Sequence, residues 1–305
     1  MAGIFVTGAS GFIGAAIVRQ LLRSSHRVAV LVRGDQPGQR LQELSQDLTL
    51  ITGDPAEVTT FRNSLETFGA DCVMHLGWAG VGGRHRNDVQ TQLQNIAMSV
   101  QLAELTTSLQ IPHFIGAGSQ AEYGPQPGRI AETTPTQPTT MYGAAKLSAC
   151  FMTERVCHLA GIRHSWIRIF STYGPGDNPD WMLPSLIRDL RAGKRPALTA
   201  GEQVWDYLQV DDAARAFASV ANCGAEGIFN LGSGQATSLR KIIETIRDAV
   251  DPALPLGFGE IPYRPDQVMH LEANIDRLRE LAGWQPQIPL ERGLDELVKA
   301  EQGKL

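Results

Sequence analysis

Ile4-Phe5-Val6-Thr7-Gly8-Ala9-Ser10-Gly11-Phe12-Ile13-Gly14 reads as an apolar strand, a glycine-rich turn and the opening of a helix. Apolar residues then recur at Ile13, Ile17 and Leu21, a spacing of four that keeps them on one helical face. Glycines at 8, 11 and 14 let the backbone turn tightly and approach a bound group. A helix beginning there points its first N–H groups and its positive dipole end at that group. The group such a turn suits is a pyrophosphate. Three glycines alone are weak testimony, because any tight turn uses them. A strand before, a helix after and a place near the N-terminus supply the context of a dinucleotide-binding turn.

Outward from this turn the pattern repeats. Short apolar runs at 4–7, 28–32, 48–51, 72–76, 113–117 and 165–169 alternate with helical stretches, of which 87–109 and 141–159 are the longest. Apolar strands without polar alternation suit a parallel sheet covered on both faces. Together they predict an α/β chain, a Rossmann-like doubly wound parallel sheet. After Phe170 the texture changes. Residues 171–184 are rich in Gly, Pro, Asn and Asp and read as irregular loops. Helices are expected at 212–221, 239–250 (with Ser238 as N-cap), 275–281 and 290–300, and a strand at 227–231. This divides the chain into a dinucleotide-binding domain, 1–170, to which 205–232 returns, and a smaller C-terminal α/β substrate-binding domain, 171–204 and 233–305.

The 305 residues are ample for a buried core, and 19% charged with 43% hydrophobic is ordinary for a globular protein. With Lys+Arg 27 against Asp+Glu 32 the formal charge is −5, so a nucleic-acid partner has no electrostatic support. No apolar run approaches the roughly 18 residues of a membrane span. The N-terminus has no charged region and runs directly into a strand, unlike a signal peptide. Cys72, Cys150, Cys157 and Cys223 have neither metal-ligand spacing nor a disulfide rhythm. They read as buried thiols in a reducing, cytoplasmic compartment.

The second strand ends at Val32, followed by Arg33. An acid there would accept hydrogen bonds from the ribose hydroxyls of NAD. A guanidinium instead suits the extra phosphate of NADP, with Ser10 and Arg40 as helpers, so NADP(H) is expected and NAD is the alternative. Tyr142-Gly143-Ala144-Ala145-Lys146 opens a helix and puts Tyr142 and Lys146 on one face. An ammonium one turn away stabilises tyrosinate, so Tyr142 is expected to exchange a proton near neutrality. Ser119 closes the fifth strand, at the carboxyl edge where open α/β sheets bind ligands, and is expected to bond the same substrate oxygen.

Gly8/Gly11/Gly14, Ser119 before Tyr123-Gly124, Tyr142/Lys146, Arg168-Ile169-Phe170, Tyr173-Gly174-Pro175-Gly176, Val210-Asp211-Asp212-Ala213, Leu231-Gly232-Ser233-Gly234 and Gly283-Trp284-Gln285-Pro286 follow one another in order. The series resembles the extended short-chain dehydrogenase/reductases, the NAD-dependent epimerase/dehydratase group acting on nucleotide sugars. The resemblance implies Ser119, Tyr142 and Lys146 as catalytic residues. It implies cofactor contacts at Gly8, Ser10, Gly11, Phe12, Ile13, Gly14, Arg33, Asp54, Leu76 and Gly77, as well as at Tyr142 and Lys146. Ser119, Ser171 and Arg264 would contact substrate, and a homodimer would form through the 87–109 and 141–159 helices.

Family 4,6-dehydratases carry a Thr-Asp-Glu unit where this chain has Ser119, Gln120 and Ala121, and an amide and a methyl cannot shuttle protons. Ala121 and Gly176 stand where the Cys and His of GDP-fucose synthase would be. Two reactions remain: NADPH-dependent reduction of a CDP- or dTDP-linked 4-keto-6-deoxyhexose, and 4-epimerisation with retained NAD. Arg33 tips the expectation toward the 4-ketoreductases. An NADP-binding sensor without turnover is a third reading, opposed by the retained Ser119, Tyr142 and Lys146. Trp205 replaces a family arginine that contacts the nucleotide diphosphate, leaving Arg264 of Tyr263-Arg264-Pro265 to act alone; this makes a non-nucleotide ketone conceivable. Glu122 is expected to support Ser119 by a hydrogen bond, His75 to be a core histidine, and Asp54 to contact adenine or cap a turn. Arg84-His85-Arg86 is either a solvated loop or a reach toward substrate phosphate.

Overall fold

The computed structural model describes residues 1–264 and 267–302, apart from the side chain of Arg84. Seven strands form the main sheet: β1 (Gly3–Thr7), β2 (Arg27–Val32), β3 (Leu48–Thr52), β4 (Cys72–His75), β5 (His113–Ser119), β6 (Arg163–Ile169) and β7 (Gly227–Leu231). All pair in parallel, in the order β7-β6-β5-β4-β1-β2-β3. The helices are α1 (Phe12–Arg23), α2 (Arg62–Phe68), α3 (Val89–Ser108), α4 (Met141–Leu159), α5 (Met182–Arg191), α6 (Val210–Cys223), α7 (Leu239–Val250), α8 (Asp276–Ala282) and α9 (Leu290–Gln302).

Strand side chains alternate between two buried layers, which is why the strands read as continuous apolar runs. Ile4, Val6, Val28, Val30, Cys72, Met74 and Ile115 join the core under α1 and α6. Phe5, Ala29, Val73 and Phe114, between them in sequence, face Leu102 and Leu105 of α3 and Cys157 of α4. Each fully buried Phe, Ile or Val contributes about 1.5–3 kcal/mol, so both layers drive folding. The chain reverses direction across the sheet between β1 and β4, and the crevice above that point receives ligands in folds of this class.

A second sheet is centred on Val204–Gln209, flanked by Ala236–Ser238, His270–Ala273, Arg129–Ile130 and Ser171–Tyr173. Beside it α5, α7 and α9 share an apolar cluster of Leu186, Ile187, Ile242, Ile246, Leu294 and Leu297. Leu208 and Leu271 of the second sheet join the main core, so packing is continuous between the sheets. Of segment 205–232, β7 joins the main sheet and α6 packs on α1, whereas Val204–Gln209 organises the second sheet.

The expected strands of the first half agree with the observed ones to within two residues, as do helices 87–109 and 141–159. Ser238 caps α7, its Oγ accepting from Lys241 N at 3.3 Å. Segment 171–184 differs from the irregular loop expected of it. Ser171–Tyr173 pairs with Tyr207–Gln209, and α5 begins at Met182 with Pro184 in its first turn. Proline costs nothing there, because the first four helical N–H groups have no partner in the helix anyway. Cys72, Cys150 and Cys157 are buried free thiols; Cys223, expected to be buried, is exposed at the end of α6. No metal-binding cluster of His, Cys, Asp or Glu occurs among the described residues, and no helix there is long and apolar enough to cross a membrane.

Candidate active site

The turn after β1 leaves no room for side chains. Gly8 has φ +73°, and a Cβ on it would lie 2.5 Å from Gly77 N. A Cβ on Gly14 would lie 2.2 Å from Gly8 O. Gly11 N donates to Gly8 O at 3.1 Å, and no side chain among the described residues caps the start of α1. Leu76 N donates to Thr7 O at 3.1 Å and binds the loop after β4 to this turn. A bare, glycine-lined helix start without a side-chain cap fits a dinucleotide pyrophosphate. Ser10 lies beside it, and Arg40 donates to Ser10 O at 3.3 Å and to Gly176 O at 3.1 Å, closing one side.

Gly77 touches the turn, and the next residue touches Tyr142 and Lys146. The Trp78 ring meets Tyr142 edge-on with centroids 6.2 Å apart, and Lys146 Nζ lies 3.7 Å from the centre of the Trp78 ring. Ser119 and Tyr142 are both buried, and the Ser119 hydroxyl is near enough to act on the Tyr142 phenol. Thr140 caps α4 through Gly143 N at 3.1 Å, fixing the turn that carries Tyr142. Ser119 is held by Glu122, whose Oε1 accepts from Ser119 N at 2.8 Å and from Trp166 Nε1 at 2.9 Å, while Oε2 accepts from Arg168 Nε at 2.7 Å. Gly116 and Gly118 exist for this arrangement, since a Cβ on either would lie within 2.3 Å of the Trp166 ring.

Burial pushes the Tyr142 phenol above its ordinary value; the Ser119 hydroxyl and the Arg86 charge pull the other way, and Glu122 adds to the rise. Lys146 is not among the groups that shift this phenol, against the expectation that its ammonium lowers the Tyr142 pKa. Lys146 Nζ instead donates to Ala117 O at 2.6 Å, and burial lowers its own pKa to about 7. One helical turn places the two side chains on the same face, but where the ammonium points is set by the strand and ring it meets. His75, bonded to Thr7 Oγ1 at 2.7 Å and Ser99 Oγ at 3.0 Å, is held neutral by burial, its pKa lowered to about 3.

A sequence model of the NAD dependent epimerase/dehydratase family matches residues 4–232. The chain belongs to that family. As a family member it is 25% identical over 93% of its length to a UDP-glucose 4-epimerase of Corynebacterium glutamicum, covering 91% of that protein. It is 27% identical over 96% of its length to a UDP-glucuronate 4-epimerase of Thermodesulfobacterium geofontis, covering 94% of it. A solved UDP-glucuronic acid 4-epimerase from Bacillus cereus, in complex with UDP-glucuronic acid and NAD, superposes with TM-score 0.84 at 25% identity, over 99% of this chain and 100% of that one.

These relatives overturn the NADPH-dependent 4-ketoreductase expected from the sequence: relatives spanning nearly the whole chain are 4-epimerases. The physical reason lies in the weight given to Arg33. It is exposed beyond β2 and makes no hydrogen bond or ion pair among the described residues. A group that would read the adenosine ribose also carries no information about whether hydride returns to the same carbon at the other end of the cofactor. Other expected contacts are spread around this family member. Asp54 is exposed, its Oδ1 accepting from Ala56 N at 2.9 Å as a turn cap. Ser171 is half-buried in the second sheet, and Arg264 is exposed, next to Pro265, which lies outside the described residues, as does the Arg84 side chain. Trp205 stacks on Tyr207 and donates to Val268 O at 2.8 Å. Trp78 was missed by the sequence reading, though an aromatic directly after the strand-end Gly77 was the available signal.

Proposed function

We propose that the chain is a nucleotide-sugar 4-epimerase, oxidising the sugar C4 hydroxyl and reducing the resulting ketone from the other face. The observation that supports this reading is the step from Gly77, against the Gly8 turn, to Trp78, against Tyr142 and Lys146; in this reading the Tyr–Lys–Ser trio works beside a dinucleotide bound at that turn. When bound, the nicotinamide supplies acceptance and return of hydride. Tyr142 takes the C4 hydroxyl proton and gives it back. Ser119, held by Glu122, bonds the same oxygen and stabilises its developing charge. Lys146 would hold the nicotinamide ribose through its ammonium, which Trp78 covers on one side. Gln120 and Ala121 leave no acid–base pair for water elimination, in keeping with epimerisation rather than dehydration. NAD is the cofactor we assign, as in the solved Bacillus cereus relative.

One observation favours a second reading of the cofactor alone. No acid stands at the end of β2, and the exposed Arg33 suits the 2′-phosphate of NADP. Mass spectrometry of the dinucleotide released from purified protein separates the two. The substrate-binding roles of Ser171 and Arg264, in a C-terminal unit of 171–204 and 233–305, belong to the same proposal. So does a homodimer through α3 and α4, where Leu93, Phe151, Met152 and Leu159 are exposed; a dimer mass in light scattering tests it. Nucleotide sugars and buried free thiols also fit a cytoplasmic setting. The activity test is incubation with UDP-glucose and UDP-glucuronate without added reductant. Appearance of the C4 epimer supports the reading, and a panel of nucleotide sugars left unchanged refutes it.

A further inference from the structure

Arg86 has no part in the reading above, yet it stands over the reacting phenol. It lies in the turn Gly83–Asn87, half-buried, with its guanidinium carbon 4.6 Å from the centre of the Tyr142 ring. Its Nη1 donates to Val81 O at 3.2 Å, and it forms no ion pair among the described residues. The loop is fixed to both long helices. Gln92 of α3 donates to the carbonyls of Gly80 at 3.1 Å and His85 at 3.2 Å, and Asn87 Oδ1 accepts from Met141 N, next to Tyr142, at 3.0 Å. The position of Arg86 over the ring is therefore built into the scaffold.

The other groups facing Tyr142 leave this cation a distinct task. Glu122 is buried and spends its charge on Arg168 at 2.7 Å; Ser119 is a neutral hydroxyl. Lys146, on the same helix, is turned to Ala117 O and the Trp78 ring, and its charge fades as pH rises through about 7. A guanidinium stays charged throughout. We propose that Arg86 is a positioning residue for the proton-transfer step, its fixed guanidinium stabilising the phenolate left when Tyr142 gives up its proton. Negative charge spread into the ring strengthens its attraction to a cation over its face, so the contact favours phenolate over phenol. The Arg86 charge acts on Tyr142 in that direction, against the rise caused by burial. The inference rests on the reading that Tyr142 exchanges a proton with substrate.

The test is a tyrosinate difference-absorbance titration of NAD-loaded protein, with Tyr142→Phe subtracted to isolate this phenol, for the wild type, Arg86→Gln and Arg86→Lys. A full opposite charge at this range moves a titration by about one pH unit or more. Arg86→Gln is expected to raise the Tyr142 midpoint by about that much, and Arg86→Lys to keep it near the wild type. Turnover in Arg86→Gln should fall about tenfold at neutral pH with KM little changed, and recover as pH rises. An unmoved midpoint in Arg86→Gln overturns the inference, as does a loss of kcat that is the same at every pH. If the wild type epimerises nothing while the midpoint still moves, the proposed activity fails and the electrostatic role of Arg86 stands.

Discussion

Lys146→Met removes a buried ammonium, and its effect on stability should depend on pH in a direction the structure fixes. Lys146 is 4% exposed, and burial lowers its pKa from 10.5 to about 7, with the Glu122 charge opposing that fall. The folded state therefore holds this proton less tightly than the unfolded chain. Between about 7 and 10.5 unfolding takes up a proton, so stability from this site is fully present above the unfolded pKa, falls away as pH drops below about 10.5 and is gone by about 7. Integrated over that window the cost of charging the buried amine is on the order of 5 kcal/mol. Methionine keeps the volume and removes the cost, but forfeits the bond to Ala117 O and the contact with Trp78, together about 2 kcal/mol. In cofactor-stripped protein Lys146→Met should thus be more stable than the wild type by about 3 kcal/mol near pH 6, and slightly less stable near pH 10. Urea denaturation at several pH values, compared at constant m, measures the difference. A difference that stays flat across this range would refute the reasoning, because it would mean that Lys146 is solvated or neutral in both states.

Tyr142→Phe should lower kcat by roughly 10²–10⁴-fold while leaving dinucleotide affinity within about twofold, as measured by turnover and by calorimetric titration. Glu122→Ala leaves Arg168, 2% exposed, without its partner and should cost about 3–5 kcal/mol in chemical denaturation; adding Arg168→Met should restore most of it without restoring turnover, since Ser119 N still lacks its acceptor. Gly14→Ala would drive a methyl to 2.2 Å from Gly8 O, so purified protein should lose its retained dinucleotide, read as absorbance of the denatured supernatant.

The core and the cofactor turn were legible because their signals are local. Ile4-Phe5-Val6 is apolar throughout since both faces of β1 are buried, and Gly8 and Gly14 are glycines because a Cβ has nowhere to go. Tyr142 and Lys146 were legible as one helical face. What stayed hidden depends on contacts distant in sequence. The direction of the Lys146 ammonium is decided by Ala117 and Trp78, and Arg86 reaches Tyr142 only because Gln92 and Asn87 tie its loop to two helices. Helix α5 escaped notice because Pro184 and its Gly- and Asn-rich approach look like loop, although proline in a first turn is harmless. The reaction was misjudged because Arg33 follows the strand end that reads the adenosine ribose in folds of this class, and nothing at that end distinguishes a carbon reduced once from one oxidised and reduced in turn.

UDP-glucose and UDP-glucuronate carrying deuterium at C4 test the hydride-return claim most directly. Mixed with the purified protein and no added reductant, one or both should yield the C4 epimer, with the deuterium still at C4 in substrate and product alike. Deuterium replaced by solvent hydrogen, or a sugar pool that never changes configuration, would contradict it.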